Sequence, residues 1–310
     1  MPHERREHRI DLAGAVLFVA ALVPLMLALT WAGDRHAWGS PLIIAFLVGG
    51  GAAAVAFVVV ERRAPEPLVP LHLFAHHVIR IATATHFFVG TSNFIVALFL
   101  PLAVQVVAGG SATDGGLALM PISVMITLVA TVVGRSVART GHYRFYPAAG
   151  NAAMAVGMLL LATIGPDSTR WEIWSATAVV GIGLGAGSAV LNLSIQNVAP
   201  YRDVGVATSV GQFSRTLGQV IGPAIANTLI LRSFDRNLGA GLSPDQRDQI
   251  DVAAIRDDVS ELDELAPELA DAATEAFRTA FQLGFRLAAA FAAVACLIAL
   301  FLPHVPLRST

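Results

Sequence analysis

Residues 12–31 read LAGAVLFVAALVPLMLALTW, twenty residues with no charged side chain among them. An α-helix rises about 1.5 Å per residue, so this run spans about 30 Å, the thickness of a bilayer's hydrocarbon core. It is longer than a signal-peptide core, has no Ala-x-Ala cleavage pattern before its polar turn, and is followed by further apolar blocks, so it reads as a membrane span. Seven more blocks follow at 41–60, 81–104, 117–137, 146–164, 174–198, 207–231 and 281–302. Within hydrocarbon every backbone N–H and C=O needs a partner from the chain itself, which for blocks this long and evenly apolar leaves only helices. The expected class is all-α, a polytopic membrane protein with about eight transmembrane helices. Composition agrees, with 55% hydrophobic and 14% charged residues and a mean hydropathy of +0.66; a soluble domain carries about a quarter charged residues.

Arginine sets the orientation. All 20 basic residues are Arg. With the amino terminus inside, Arg5, Arg6, Arg9, Arg62, Arg63, Arg80, Arg135, Arg139, Arg144, Arg202 and Arg308 fall on cytoplasmic segments, whereas the short external loops hold only Arg35 and Arg170. That bias is the positive-inside pattern. Trp31, Trp38, Trp171 and Trp174 all fall at the first and third external loops, where amphipathic indoles anchor at one headgroup layer. Both termini, a basic tail at 1–10 and a short tail at 304–310, are therefore expected in the cytoplasm, with the chain in the plasma membrane. The net charge of −2 gives no sign of a nucleic-acid partner. The lone cysteine, Cys296, lies in the last apolar block and reads as a small buried side chain.

Two segments between spans differ in kind. Ser233 to Glu275 carries 12 acidic residues and three arginines, so 233–277 is expected to be an acidic external loop. Ser243-Pro244-Asp245-Gln246 offers an N-cap and a proline at the first helical position. Ile255, Val259, Leu262, Ala266 and Leu269 recur at helical spacing, with Pro267 expected to interrupt them. Two short amphipathic helices over the outer mouth are expected, forming either a solvated lid or a substrate vestibule. The cytoplasmic connection, from Glu61 to Pro70, is broken by prolines and leads into Leu71–His77. His72 and His76 have the i, i+4 spacing of a metal pair, but no third ligand stands nearby, so a basic helix at the headgroups is expected and no metal site.

No enzyme signature is present: no phosphate-binding loop, no His-Glu-x-x-His, no Gly-x-Ser-x-Gly. Gly181, Gly183, Gly185 and Gly187 do not meet the dinucleotide spacing and lie within a span, so no cofactor is implied. Gly181 and Gly185, and later Gly218 and Gly222 before Pro223, put small residues at i, i+4, which lets membrane helices approach closely. A bending or rocking element is the functional alternative there. Charge inside a span is costly, about 2.5–3.5 kcal/mol at the centre. Arg215 stands out, because a helix starting near Val204 puts it about 16 Å deep. Gln212 and Gln219 share its face. Asn192 and Gln196 lie near the cytoplasmic end of the sixth span, and His86, Asn93 and Gln105 line the third. Together these eight residues outline a polar substrate pathway. Singly, each is also explained as an interhelical hydrogen bond. No Asp or Glu lies well inside a span; Asp11, Glu61 and Asp114 are marginal, which leaves His86 as the one titratable candidate within the membrane besides arginine.

The segment from Asn197 through Gly218, NVAPYRDVGVATSVGQFSRTLG, resembles the major facilitator superfamily, and more narrowly its fourteen-helix drug:proton antiporter branch. Leu68-Val69-Pro70-Leu71-His72-Leu73-Phe74 is similar to that branch's linker before its carboxy-terminal half. Gly134, Arg135, Arg139, Gly141 and Arg144 are similar to its basic cytoplasmic loop motif, with Val137-Ala138 where the family often has an acidic residue. The resemblance implies two linker helices within 11–77 and a second six-helix half over 78–303, itself a 3+3 inverted repeat. It finds no counterpart here for the first six helices.

The complete molecule is therefore expected to export small hydrophobic or cationic compounds by proton-coupled alternating access, and not to be an enzyme. Its partners would be the lipid bilayer, a small-molecule substrate and protons, with a missing amino-terminal half or a second copy completing the pathway. A stand-alone accessory or assembly membrane protein, without its own transport cycle, is the alternative.

Overall fold

The computed structural model describes residues 12–32, 36–63, 71–241, 266–303 and 305–306. Its helices are α1 (Leu12–Trp31), α2 (Pro41–Glu61), α3 (His77–Val106), α4 (Ala112–Leu117), α5 (Met120–Thr140), α6 (Tyr146–Leu161), α7 (Arg170–Val198), α8 (Val204–Gly241) and α9 (Pro267–Leu300). Each of the eight apolar blocks coincides with one long helix, and α4 is an added turn capped by Ser111 and Asp114 in a reciprocal capping box. Among the described residues six helical stretches, counting α4 and α5 as one, are long and apolar enough to cross a membrane. The other two are α6, only 16 residues long, and α8, whose Gln212, Arg215, Gln219 and Arg232 dilute its apolar character.

The helices α3 to α9 form a bundle with internal two-fold logic. Helix α3 packs on α8 and α9, while α7 packs on α5 and α6; α6 meets α9, and α3 meets α7. Exchanging α3 with α7, α5 with α8 and α6 with α9 maps each of these contacts onto another or onto itself, whereas the α8–α9 and α7–α8 contacts have no counterpart of like extent. Three spans per unit reverse the entry face of the second unit, which is how an inverted repeat arises. Helix directions agree. The α3–α8 contacts pair Thr83 with Ser214, Phe87 with Gly218 and Thr91 with Gly222, a constant offset that means parallel helices. The α5–α7 contacts pair Ile122 with Gly181 and Ile126 with Gly185, also at constant offset.

Glycine makes these approaches possible, because lipid offers apolar side chains as good a home as a neighbouring helix and only close backbone packing distinguishes the two. The alternating glycines of α7 serve two neighbours. Gly181 and Gly185 face α5, and Gly183, two residues on, faces α6, where a Cβ would stand 2.4 Å from the Gly150 carbonyl oxygen. Alanine plays the same part on α9, where Ala273, Ala280, Ala288, Ala292, Ala295 and Ala299 are fully buried. Cys296 beside them is half-buried.

The α1–α2 hairpin is apolar on all sides and mostly exposed, as befits helices facing lipid. It touches the bundle through Phe18, whose ring lies 4.9 Å from that of Phe213 on α8.

The acidic segment departs from expectation at its described ends. Helix α8 continues to Gly241, and α9 begins at Pro267, which takes a first-turn position instead of interrupting a helix. Phe234 and Leu238 on α8 pack with Leu269 and Phe277 on α9, and the Phe234 and Phe277 rings are 4.3 Å apart. Both helices thus extend past their apolar blocks. Ser243 to Gln246 and Ile255 to Leu262, on which the two short helices were expected, lie outside the described residues, as do residues 1–11, Arg35, Leu68–Pro70, His304 and 307–310.

Candidate substrate pathway

Helix α8 starts at Val204, so Arg215 sits about 16 Å along it. Its carbonyl lies against Gly90 of α3, where an added Cβ would come within 2.1 Å. The side chain is half-buried, and among the described residues it makes no hydrogen bond or ion pair.

The eight pathway residues do not share one chamber. Gln105 and Gln219 line a cavity of about 560 Å³ with Phe94, Phe99 and Asn227, closed on one side by Leu29, Thr30 and Ala32 at the end of α1. Pro101 and Pro223 line it too. A proline inside a helix removes the N–H that would bond the carbonyl four residues earlier, here those of Ala97 and Gln219. Gln105 donates to the Pro101 carbonyl at 3.1 Å. Toward the other end of α8, Gln212 donates to Asn192 of α7 at 3.3 Å, bridging the two helices. Gln196 is exposed on α7 and Asn93 half-buried on α3. His86 is fully buried between α3 and α8. The arrangement is a chain of polar stations along α8, with a cavity at one end.

Some polar groups on exposed faces were not singled out from sequence. Thr127 and Thr131 stand one turn apart on α5, and Thr216 lies beside Gln212 on α8. All three hydroxyls bond carbonyls of their own helices. The i, i+4 threonines were a visible signal. Asn227 was another, a third amide in the seventh block after Gln212 and Gln219.

At the opposite end of the bundle, Gly141 ends α5 in the left-handed region (φ 69°), where its N–H bonds the Val137 carbonyl. Arg135, Arg139 and Arg144 are exposed, Arg144 lying 5.4 Å over the Phe145 ring. Gly134 has nothing within 4 Å of a built Cβ, so packing does not require glycine there. Tyr143 is buried and donates to the Val305 carbonyl at 2.8 Å, while Asn197 donates to that of Pro306 at 3.0 Å. The end of the chain is thereby fastened to the α5–α6 and α7–α8 corners.

The segment with His72 is a short 3-10 turn, Leu71–Ala75, instead of the expected surface helix. Leu73 is fully buried among Ile79, Leu191 and Ile195, and His72 bonds Asp203 at 3.1 Å. His72 therefore latches the connection to the α7–α8 corner, and His76 sits at the cap of α3. Among the described residues no three His, Cys, Asp or Glu side chains cluster as a metal site.

A family model described as Major Facilitator Superfamily matches residues 1–223. The chain is 34% identical over 234 residues to an uncharacterized MFS-type transporter of Mycobacterium tuberculosis (strain ATCC 25618 / H37Rv), covering 76% of this chain and 34% of that relative. It is 30% identical over 240 residues to Multidrug resistance protein 3 of Bacillus subtilis (strain 168), covering 77% of this chain and 47% of that one. Thus it spans about a third to a half of the length of these curated relatives. In fold it is similar to a bacterial homolog of the human lysosomal transporter Spinster, solved inward-facing and unoccupied, with a TM-score of 0.58 at 14% identity over 93% of this chain and 70% of that one.

Proposed function

The chain belongs to the major facilitator superfamily, and we propose that it forms the carboxy-terminal part of a drug:proton antiporter of the fourteen-helix branch. In this reading residues 11–77 supply the two linker helices and 78–303 the second half of the carrier. The half works against another six-helix half, or a second copy, in the plasma membrane with both termini in the cytoplasm. Substrates in this reading are small hydrophobic or cationic drug-like compounds; the Bacillus subtilis relative is named for multidrug resistance.

The observation that carries this reading is Arg215, a half-buried charge about 16 Å into α8 without a partner among the described residues. Such a charge is costly against lipid and is tolerated where it faces water or a polar cavity. Asn192, Gln212 and Gln219 extend the same polar line, and a second half would cover it. Apolar walls with a few amides suit ligands that need little specific hydrogen bonding.

Arg215→Ala in a complete carrier tests the proposal. Dye efflux from cells is expected to be lost or altered with membrane insertion preserved. Wild-type efflux would reduce Arg215 to a snorkelling residue and remove the pathway from this face.

A further inference from the structure

We propose that His86 is the proton-carrying group of this half, with Nε2 taking the proton and the α3–α8 seam reporting its charge. The inference rests on the proton-coupled reading above and names its residue.

His86 lies nine residues into α3, about 13 Å from its start. It has no exposed surface. Nδ1 is 2.9 Å from the Ala82 carbonyl, and since a carbonyl only accepts, Nδ1 carries the hydrogen. In the neutral ring Nε2 is then a lone pair, and it is buried with no hydrogen-bond partner among the described residues. A structural histidine in a core uses both nitrogens; an orphaned ring nitrogen in so closely packed a seam needs another reason.

The seam around it is built to be closed. A Cβ on Gly211 would stand 3.7 Å from Nδ1 and 2.8 Å from Ile195, while Gly90, Gly218 and Gly222 hold the backbones together further along. The charged residue of α8 at this level is Arg215, whose carbonyl and Cγ lie against Gly90, one turn along α3 from His86. Helix α7 brings Ile195 to this level, and its own charged residues, Arg170 and Glu172, lie at its far end. On α3 the other titratable groups, His77 and Arg80, sit in its first turn. Helix α9 packs on another face of α3, pairing Ser92 with Ala288 in register, which sets Arg286 level with Phe94 and away from the ring.

Among the described residues no carboxylate therefore waits for an imidazolium. When Nε2 takes a proton from water, the new N–H meets no acceptor and the cation stands near Arg215. A closed seam offers the ion neither hydration nor a counter-charge, so protonation and closure exclude each other. Water must enter as the proton arrives and leave as it departs. One N–H bond forms on one side of the membrane and breaks on the other, with water as donor and acceptor. That is the linkage a carrier needs between a proton and a packing change.

The experiment uses the full chain in liposomes with Cys296→Ala and spin labels on cysteines at Arg80 and Gly205, both exposed near the starts of α3 and α8. Distances between labels are measured from about pH 8 to about pH 4, reaching below the ordinary histidine range because the closed seam opposes the charge. A longer-distance population is expected to grow as pH falls, to vanish at every pH in His86→Gln, and to persist at every pH in His86→Lys. His72→Gln is expected to keep the response, which separates His86 from the His72–Asp203 latch. A seam indifferent to pH, or a response surviving in His86→Gln, would overturn the assignment. Because the measurement needs no transport, its failure is distinct from a failure of the carrier reading.

Discussion

Gly218→Ala should loosen the α3–α8 seam, and the size of the effect follows from the geometry. A Cβ built at Gly218 stands 2.0 Å from the Phe87 carbonyl oxygen and 2.8 Å from the Thr91 nitrogen. Both obstacles are backbone, so no rotamer change relieves them. Restoring van der Waals contact means parting the helices by about 1 Å along a seam packed at interior density, an overpacking that costs about 1–3 kcal/mol. Gly49→Ala is the matched control. Gly49 lies inside α2 with nothing within 4 Å, so the same methyl should be neutral or stabilise by up to about 1 kcal/mol through helix propensity. The assay is thermal unfolding of the purified chain in detergent, followed by cysteine-reactive dye at Cys296 and by monodispersity. Gly218→Ala should melt several degrees below wild type and Gly49→Ala at or above it. Equal midpoints for the two variants would refute the claim that glycine sets this contact.

Two further predictions concern the ends of the bundle. Cysteines placed at Ser243 and Ser309 should differ toward a membrane-impermeant maleimide on intact cells, the first labelled and the second protected; the reverse would invert the orientation read from arginine and tryptophan. Tyr143→Phe removes the donor to the Val305 carbonyl and should lower stability by about 1 kcal/mol, read as a small fall in melting temperature. No change would mean that the fastening of the chain's end is incidental.

The spans were legible because hydrocarbon imposes one requirement on every residue of a block, and each apolar block became a helix. Their ends were less so. Composition marks Phe234, Leu238, Leu269 and Phe277 as parts of a polar, acidic segment, yet these residues carry a stripe that keeps α8 and α9 packed beyond their apolar blocks. A stripe this sparse becomes visible only once its partner helix is known. The glycine pattern on α7 was readable as close packing, but its division between α5 and α6 depends on which neighbours stand on either side. Likewise Gln212, Arg215 and Gln219 do share a helix face, as their spacing says. Sequence does not show that the neighbours of α8 change along its length, so that Gln212 meets Asn192 while Gln219 reaches the cavity with Gln105. The orphaned nitrogen of His86 was beyond reach, since it depends on the absence of a partner from every packed element.

The central claim is that this chain supplies one half of an efflux carrier, and vesicle transport tests it most directly. The 310-residue chain, purified and reconstituted with an imposed pH gradient, is expected to move no drug-like dye by itself, because its polar line through Asn192 and Arg215 lacks a facing half. Reconstituted together with an amino-terminal half from a related carrier, it should move dye against its gradient, and collapse of the pH gradient should stop it. Robust gradient-driven transport by the chain alone would contradict the half-carrier account and point to a pump built from two copies.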